Sequence, residues 1–144
     1  MAITTALCTS FKVALLNGEM DFSSDTSQTF KIALYSPDAT LGGGTTAYST
    51  TNEVSGTGYT AGGETLTIST NPTSSGTSAY LGFSDVTWSS ASFTARGALI
   101  YKADGVTNPA VAVLDFSGDQ TVSTGNFTVQ LSAVGAGNPV LQIA

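Results

Sequence analysis

Ten carboxylates, four cations and no histidine set the chemistry open to this 144-residue chain. Without imidazole, neither a Ser–His nor a Cys–His nucleophile pair can be assembled from its own residues. Two-carboxylate hydrolysis needs an acid and a base facing one cleft. The candidates are Asp85, Asp104, Asp115 and Asp119. All but Asp115 fall in predicted turns, where aspartate commonly accepts nearby backbone N–H groups, so the turn reading is preferred. Zinc needs cysteine and histidine ligands that the sequence does not offer. The Asp115–Asp119 stretch faintly resembles a calcium loop but lacks the ligand count and closing glutamate of an EF-hand, and reads better as a hairpin turn. No phosphate-cradling glycine pattern leads from a strand into a helix. No catalytic residue, cofactor site or metal site is therefore expected.

The other reactive side chains have structural readings. Cys8, the single cysteine, lies beside an apolar helical face and reads as a small buried hydrophobe. Arg96, the single arginine, sits in an apolar stretch, Phe93–Tyr101, where an unpaired charge is expensive. Its expected partners are Asp85 or Asp115, in an internal or intersubunit ion pair. Gly97 beside it predicts a bulge or a close backbone approach. Trp88 with Tyr48, Tyr59, Tyr80 and Tyr101 offers material for a sugar-stacking platform, but aromatics with polar tips also fill cores and interfaces, and that reading is preferred. Asn126–Thr128 matches a glycosylation sequon and reads as a chance match.

These residues must be held by something, and composition says what. Only 10% of residues are charged, while the chain carries 23 Thr, 18 Ser and 16 Gly. Hydrophobic residues make up 41%, enough for one core, and the length suits a single domain spanning 1–144. A net charge of −6 with dispersed cations argues against nucleic acid and anionic membranes as partners. No apolar run approaches a membrane span, and the N-terminus lacks the pattern of a secretory signal. One cysteine forms no internal disulfide and fits synthesis in a reducing cytoplasm.

Periodicity predicts one helix and then strands. Leu7, Phe11 and Leu15 share a face over about 5–17, with Thr4 or Thr5 as the cap and Gly18 as the terminator. Strands are predicted over 29–35, 64–70, 79–83, 92–101, 110–116, 126–132 and 140–143. The segments at 92–101 and 110–116 are almost wholly apolar or small, as in central strands buried on both sides. Turns are predicted at Ser36–Asp38, Gly42–Gly44, Gly62–Gly63, Asn71–Pro72, Asp104–Gly105, Ser117–Asp119 and Asn138–Pro139. The expected fold is all-β, an antiparallel sandwich of jelly-roll or Ig-like type with about seven or eight strands and one N-terminal helix. The polar Asp38–Tyr59 stretch is long enough to be a functional loop or one braced by a partner.

Four blocks are distinctive together: Ala6–Lys12; Thr45–Tyr48 with Asn52–Gly63; Trp88 with Phe93–Tyr101; and Ala110–Phe116. In this combination, almost end to end, the chain resembles a family of small, mostly uncharacterised virion structural proteins of tailed bacteriophages. The resemblance transfers no catalytic residue. It implies a structural role but no place in the particle; together with the composition and the lack of catalytic groups it leads to the expectation of a capsid decoration (cement) protein on the outer head shell, made in the host cytoplasm and carried on the virion. Its expected partners are itself, as a homo-oligomer and by analogy a trimer, and the phage major capsid protein. The expected contact residues are Leu7, Phe11 and Leu15 of the N-terminal segment and Tyr48, Asn52, Glu53 and Tyr59 of the long loop. Two other readings compete: a tail, baseplate or fibre component, and a carbohydrate-binding adhesin module that takes a host surface glycan.

Overall fold

The structure, a computed structural model, describes residues 2–131 and 141–143. It is an all-β sandwich of two antiparallel sheets with one short N-terminal helix. In chain order the elements are β1 (Ala6–Leu7), α1 (Thr9–Leu16), β2 (Phe30–Tyr35), β3 (Glu64–Thr65), β4 (Ile68–Ser75), β5 (Ser78–Phe83), β6 (Val86–Lys102), β7 (Ala110–Val129) and β8 (Leu141–Ile143). The larger sheet has the order β1-β7-β6-β2-β3, the smaller one β4-β5-β8. The predicted Asn138–Pro139 turn and Val140 lie outside the described residues.

The helix is shorter than its periodicity predicts. Ala6 and Leu7 are extended and pair with Val113 and Ala112 of β7. Cys8 continues the ladder, donating its N–H to Val111 O at 2.9 Å, before capping α1 from an extended conformation. Thr5 is not the cap; its hydroxyl accepts the Asp115 N–H. An edge of β7 competes for the same residues, and a sheet hydrogen bond to a packed strand outweighs one further turn of a short helix. Gly18 does end the helix, at φ +72°. Phe11 and Ala14 are buried, and the Phe11 ring meets Phe22 edge-on at 5.9 Å.

The second correction concerns β6 and β7. The strands expected at 110–116 and 126–132 join into one strand of 20 residues that ends at Val129, facing 17 residues of β6 in a long hairpin, and Ser132 lies outside the described residues. Ser117–Asp119 is therefore no hairpin turn. It is a bulge inside β7: Gly97 pairs with Asp115 but Ala95 pairs with Gln120, and Ser117 takes φ +62°. Asn71–Pro72 likewise lies within β4, an edge strand, where the register against β5 slips between Thr70 and Thr73. Proline is tolerated at such an edge because no ladder hydrogen bond is lost on the open side.

The loop end of the hairpin is the core of the molecule. Leu99, Ile100, Val111 and Val113 are fully buried, as expected for central strands covered on both faces. Gly97 permits this closeness. A Cβ there would fall 2.6 Å from Leu114 O and 2.7 Å from the Ile3 side chain.

Candidate functional site

The long loop between β2 and β3 carries a polar constellation with Glu53 as its hub. The Glu53 carboxylate accepts the hydroxyl of Tyr59 at 2.6 Å on Oε1, that of Tyr48 at 2.7 Å on Oε2, and the Gly62 N–H at 2.8 Å on Oε1. The Tyr59 oxygen in turn accepts the Leu34 N–H at 2.9 Å, so this hydroxyl continues the edge of β2 where β3 has ended. Val54 donates to Leu34 O and Ser36 to Asn52 O, laying the loop along β2 as an irregular extra strand. Tyr101 stacks on Tyr48 with centroids 4.6 Å apart and donates to Gly62 O at 2.7 Å. Tyr35 donates to Ser49 O at 2.7 Å. Gly63 is forced by contact and conformation, since at φ +76° a Cβ would overlap the Ile32 carbonyl.

The electrostatics follow from this packing. Burial, reinforced by the Glu53 carboxylate, pushes the Tyr48 and Tyr59 hydroxyls well above the ordinary tyrosine range, and burial lifts Tyr101 to about 12. These hydroxyls stay protonated and donate; none is poised as a nucleophile or base. The loop is thus braced by its own tyrosines, where the sequence left open a partner.

The expected contact residues separate accordingly. Tyr48, Glu53 and Tyr59 are half-buried and turned into this network. Asn52 is exposed at φ +60°, with its Nδ2 donating to Asp38 O, and lines a broad open groove of about 1060 Å³ with Thr4, Asp38 and Thr45. Leu7, Phe11 and Leu15 come together, although Leu7 is on β1. With Phe22, Leu81 and Leu141 they line an apolar slot of about 130 Å³ between α1 and the smaller sheet.

Arg96 pairs with Asp115 as expected and with Asp119, not with Asp85. Its Nε lies 3.5 Å from Asp115 Oδ1 and its Nη1 3.4 Å from Asp119 Oδ1. The Nε contact is an ion-pair distance without a well-directed hydrogen bond. The Arg96 side chain is 40% exposed, so the pair is a surface clamp across the β7 bulge rather than a buried bridge. Asp85 stands at the turn before β6, eleven positions from Arg96 along the chain, and accepts the Leu131 N–H at 2.7 Å. The bulge explains the swap: three extra residues of β7 bring Asp119 opposite Arg96, which a regular register cannot do.

The remaining carboxylate candidates do not share a cleft. Asp104 lies at the loop end of β6, the opposite end from Asp85. It accepts the N–H groups of Val106, Thr107 and Asn108 and the Thr107 hydroxyl, and these bonds hold its carboxyl down at about 2. Cys8 is fully buried and desolvation raises its thiol to about 11. No metal-ligating cluster occurs among the described residues. Trp88 is 2% exposed, its ring 6.0 Å from Tyr59 and 6.2 Å from Phe127, so it belongs to the core and presents no stacking face. Tyr80, on β5, lies apart from that cluster and lines the apolar slot.

Sequence reasoning missed Tyr35, Gly62 and the role of Asp119. The nearest signal was the spacing of Tyr48, Glu53 and Tyr59, which places hydroxyls five and six residues either side of one carboxylate. No family model, no curated protein and no solved structure matches the chain.

Proposed function

We propose that this chain is a non-enzymatic structural protein of a tailed-phage virion, a capsid decoration protein that binds the outer head shell as a homo-oligomer and stabilises it. The observation that carries this reading is the use made of its reactive groups. The Glu53 network ties the long loop to β2, Asp104 closes the loop that follows β6, and Arg96 spans the bulge between Asp115 and Asp119. Such bracing suits a module that must hold its shape under load. The resemblance of the four sequence blocks to phage virion proteins supplies the setting. With Tyr48, Glu53 and Tyr59 turned inward, the parts of the two expected contact segments left to meet the major capsid protein are Asn52 and the outward aliphatics of α1, Val13 at 54% and Leu16 at 90% exposure.

Particles lacking the protein are expected to lose heat resistance and to regain it when the purified protein is added back. Capsids equally stable with and without it would refute the decoration role. A reconstruction of the intact particle at side-chain resolution separates head from tail directly.

A further inference from the structure

The charges of this chain are segregated along the β6–β7 hairpin. Between Glu64 and Arg96 the only charged residue is Asp85, and none follows Asp119. The half of the hairpin away from its loop, Val86–Ala95 paired with Gln120–Val129, is therefore uncharged in a chain of net charge −6. Two copies of such a chain repel each other overall, and repulsion is weakest where this ribbon faces its own kind.

The two edges of the ribbon differ. The β6 edge is covered at its middle by the long loop: Thr57 bridges Ser92, and Gly56 and Gly58 lie so close that a Cβ would fall 2.5 Å from Ser92 O and 2.8 Å from the Ala91 Cα. Toward the hairpin loop the β7 edge is covered by Cys8 at Val111, by β1 at Ala112 and Val113, and by the Thr5 hydroxyl at the Asp115 N–H. Beyond the bulge, the backbone of β7 has no strand partner other than β6 among the described residues. Natural sheets blunt such edges with lysine, proline or a bulge. Thr124, at φ +49°, interrupts the edge in this way, but Gly125–Gln130 after it contains neither charge nor proline. Beside this run lies a groove of about 570 Å³ lined by Leu114, Phe116, Val122 and Phe127.

We propose that two copies of this chain associate edge to edge through Gly125–Val129 of β7 and the adjoining Gln130, antiparallel about a two-fold axis. The hairpins of the two copies then form one continuous four-stranded sheet, β6-β7-β7-β6. A backbone edge with no strand partner among the described residues selects an extended strand as its occupant, and on the order of six interchain backbone hydrogen bonds form over this length. A second copy fits as that occupant because two chains of net charge −6 meet least repulsion along this uncharged ribbon. The proposal rests on the reading of the chain as a self-associating structural module and names its contact. A two-fold contact gives a dimer, or an even-numbered assembly, where analogy suggests a trimer.

The test uses the whole chain. At roughly 100 μM, where a dissociation constant of about 10 μM leaves mostly dimer, sedimentation should report a dimer or an even-numbered oligomer. Asn126 and Thr128 are exposed, and Asn126→Lys with Thr128→Lys should weaken association at least tenfold while the circular dichroism spectrum is unchanged. Because Cys8 is buried, single replacements Asn126→Cys and Thr128→Cys report on the contact even if the lysine variant fails to fold. Under mild oxidation at least one of these, or an equimolar mixture of the two, should cross-link two chains, and Thr107→Cys, at the opposite end of the hairpin, should not. A monomer at that concentration overturns both the contact and the homo-oligomer. An oligomer that tolerates both lysines and forms no cross-link at 126 or 128 overturns this contact alone and leaves the homo-oligomer standing.

Discussion

The two halves of the β6–β7 hairpin obey different rules although they are the same two strands. The loop half, Gly97–Lys102 with Ala110–Asp115, is flanked by β2 on one side and β1 on the other and is covered by α1 and by the braced loop. Among the described residues the far half has one strand partner per strand, an outward face of hydroxyls and an inner face of aromatics. On its outer face Thr87 meets Thr128, and Thr94 meets Thr121, each pair at 2.8 Å. Cross-strand threonine pairs of this kind contribute only a few tenths to about 1 kcal/mol each. The difference teaches that one pair of strands supplies both an interior and a surface, and that the bulge at Phe116–Asp119 marks the change.

The largest test of that contrast is a core truncation in the loop half. Leu99→Ala should cost about 2–5 kcal/mol in urea unfolding, because the buried strand cannot collapse around the space left. Val122→Ala in the far half, where the side chain is only half-buried, should cost about 1 kcal/mol. Equal losses would break the contrast.

Next comes the brace. Glu53→Ala removes the acceptor of two hydroxyls and of the Gly62 N–H and should cost about 3 kcal/mol. Proteolysis within residues 45–62 should accelerate in that variant. An unchanged cleavage pattern would show that the loop is held by other means.

The tyrosine hydroxyls give the brace an alkaline signature. A tyrosine whose folded pKa lies above its ordinary value of 10 stabilises the fold below pH 10 and loses that contribution as pH rises toward the folded value. The thermal midpoint should therefore fall above pH 10, and Tyr48→Phe should flatten the fall. At the acid end the sign reverses. Asp104, held down at about 2, contributes above its ordinary value near 4 and loses the contribution as pH drops toward 2. Asp104→Asn should lose that part of the acid dependence in a melting series from pH 5 to 2.

The smallest effect belongs to the clamp. Arg96→Met should change stability by about 0–1 kcal/mol, the range of exposed ion pairs. A loss of several kcal/mol would mean that the bulge depends on the clamp.

The strands at 30–35 and 79–83, the central pair and the terminator at Gly18 were legible because each follows from local periodicity or turn chemistry, whereas residues 86–91 of β6 were not read as strand and the strand expected at 64–70 is divided between β3 and β4 of different sheets. The start of α1 and the continuity of β7 were not. Residues 6–7 satisfy a helical stripe and a strand edge equally well, and only the presence of β7 beside them decides. Ser117–Asp119 has turn composition, and only the opposing register shows a bulge. Tyr48, Glu53 and Tyr59 were read from the sequence as contact residues, but they turn inward, because Tyr59 meets the Leu34 N–H of β2 and Glu53 meets the Gly62 N–H once the loop folds back on itself.

The sequence by itself determined the chemistry: no histidine, few charges, many hydroxyls, one core's worth of apolar residues and strands as the means of burying them. Those are properties of residue types and their local spacing, and they hold in any arrangement of the chain. The tertiary structure alone decided which groups face one another, because partners such as Arg96 with Asp119, Tyr59 with Leu34 and Cys8 with Val111 lie from 23 to 103 residues apart, as their numbers give, and are joined by register and not by pattern.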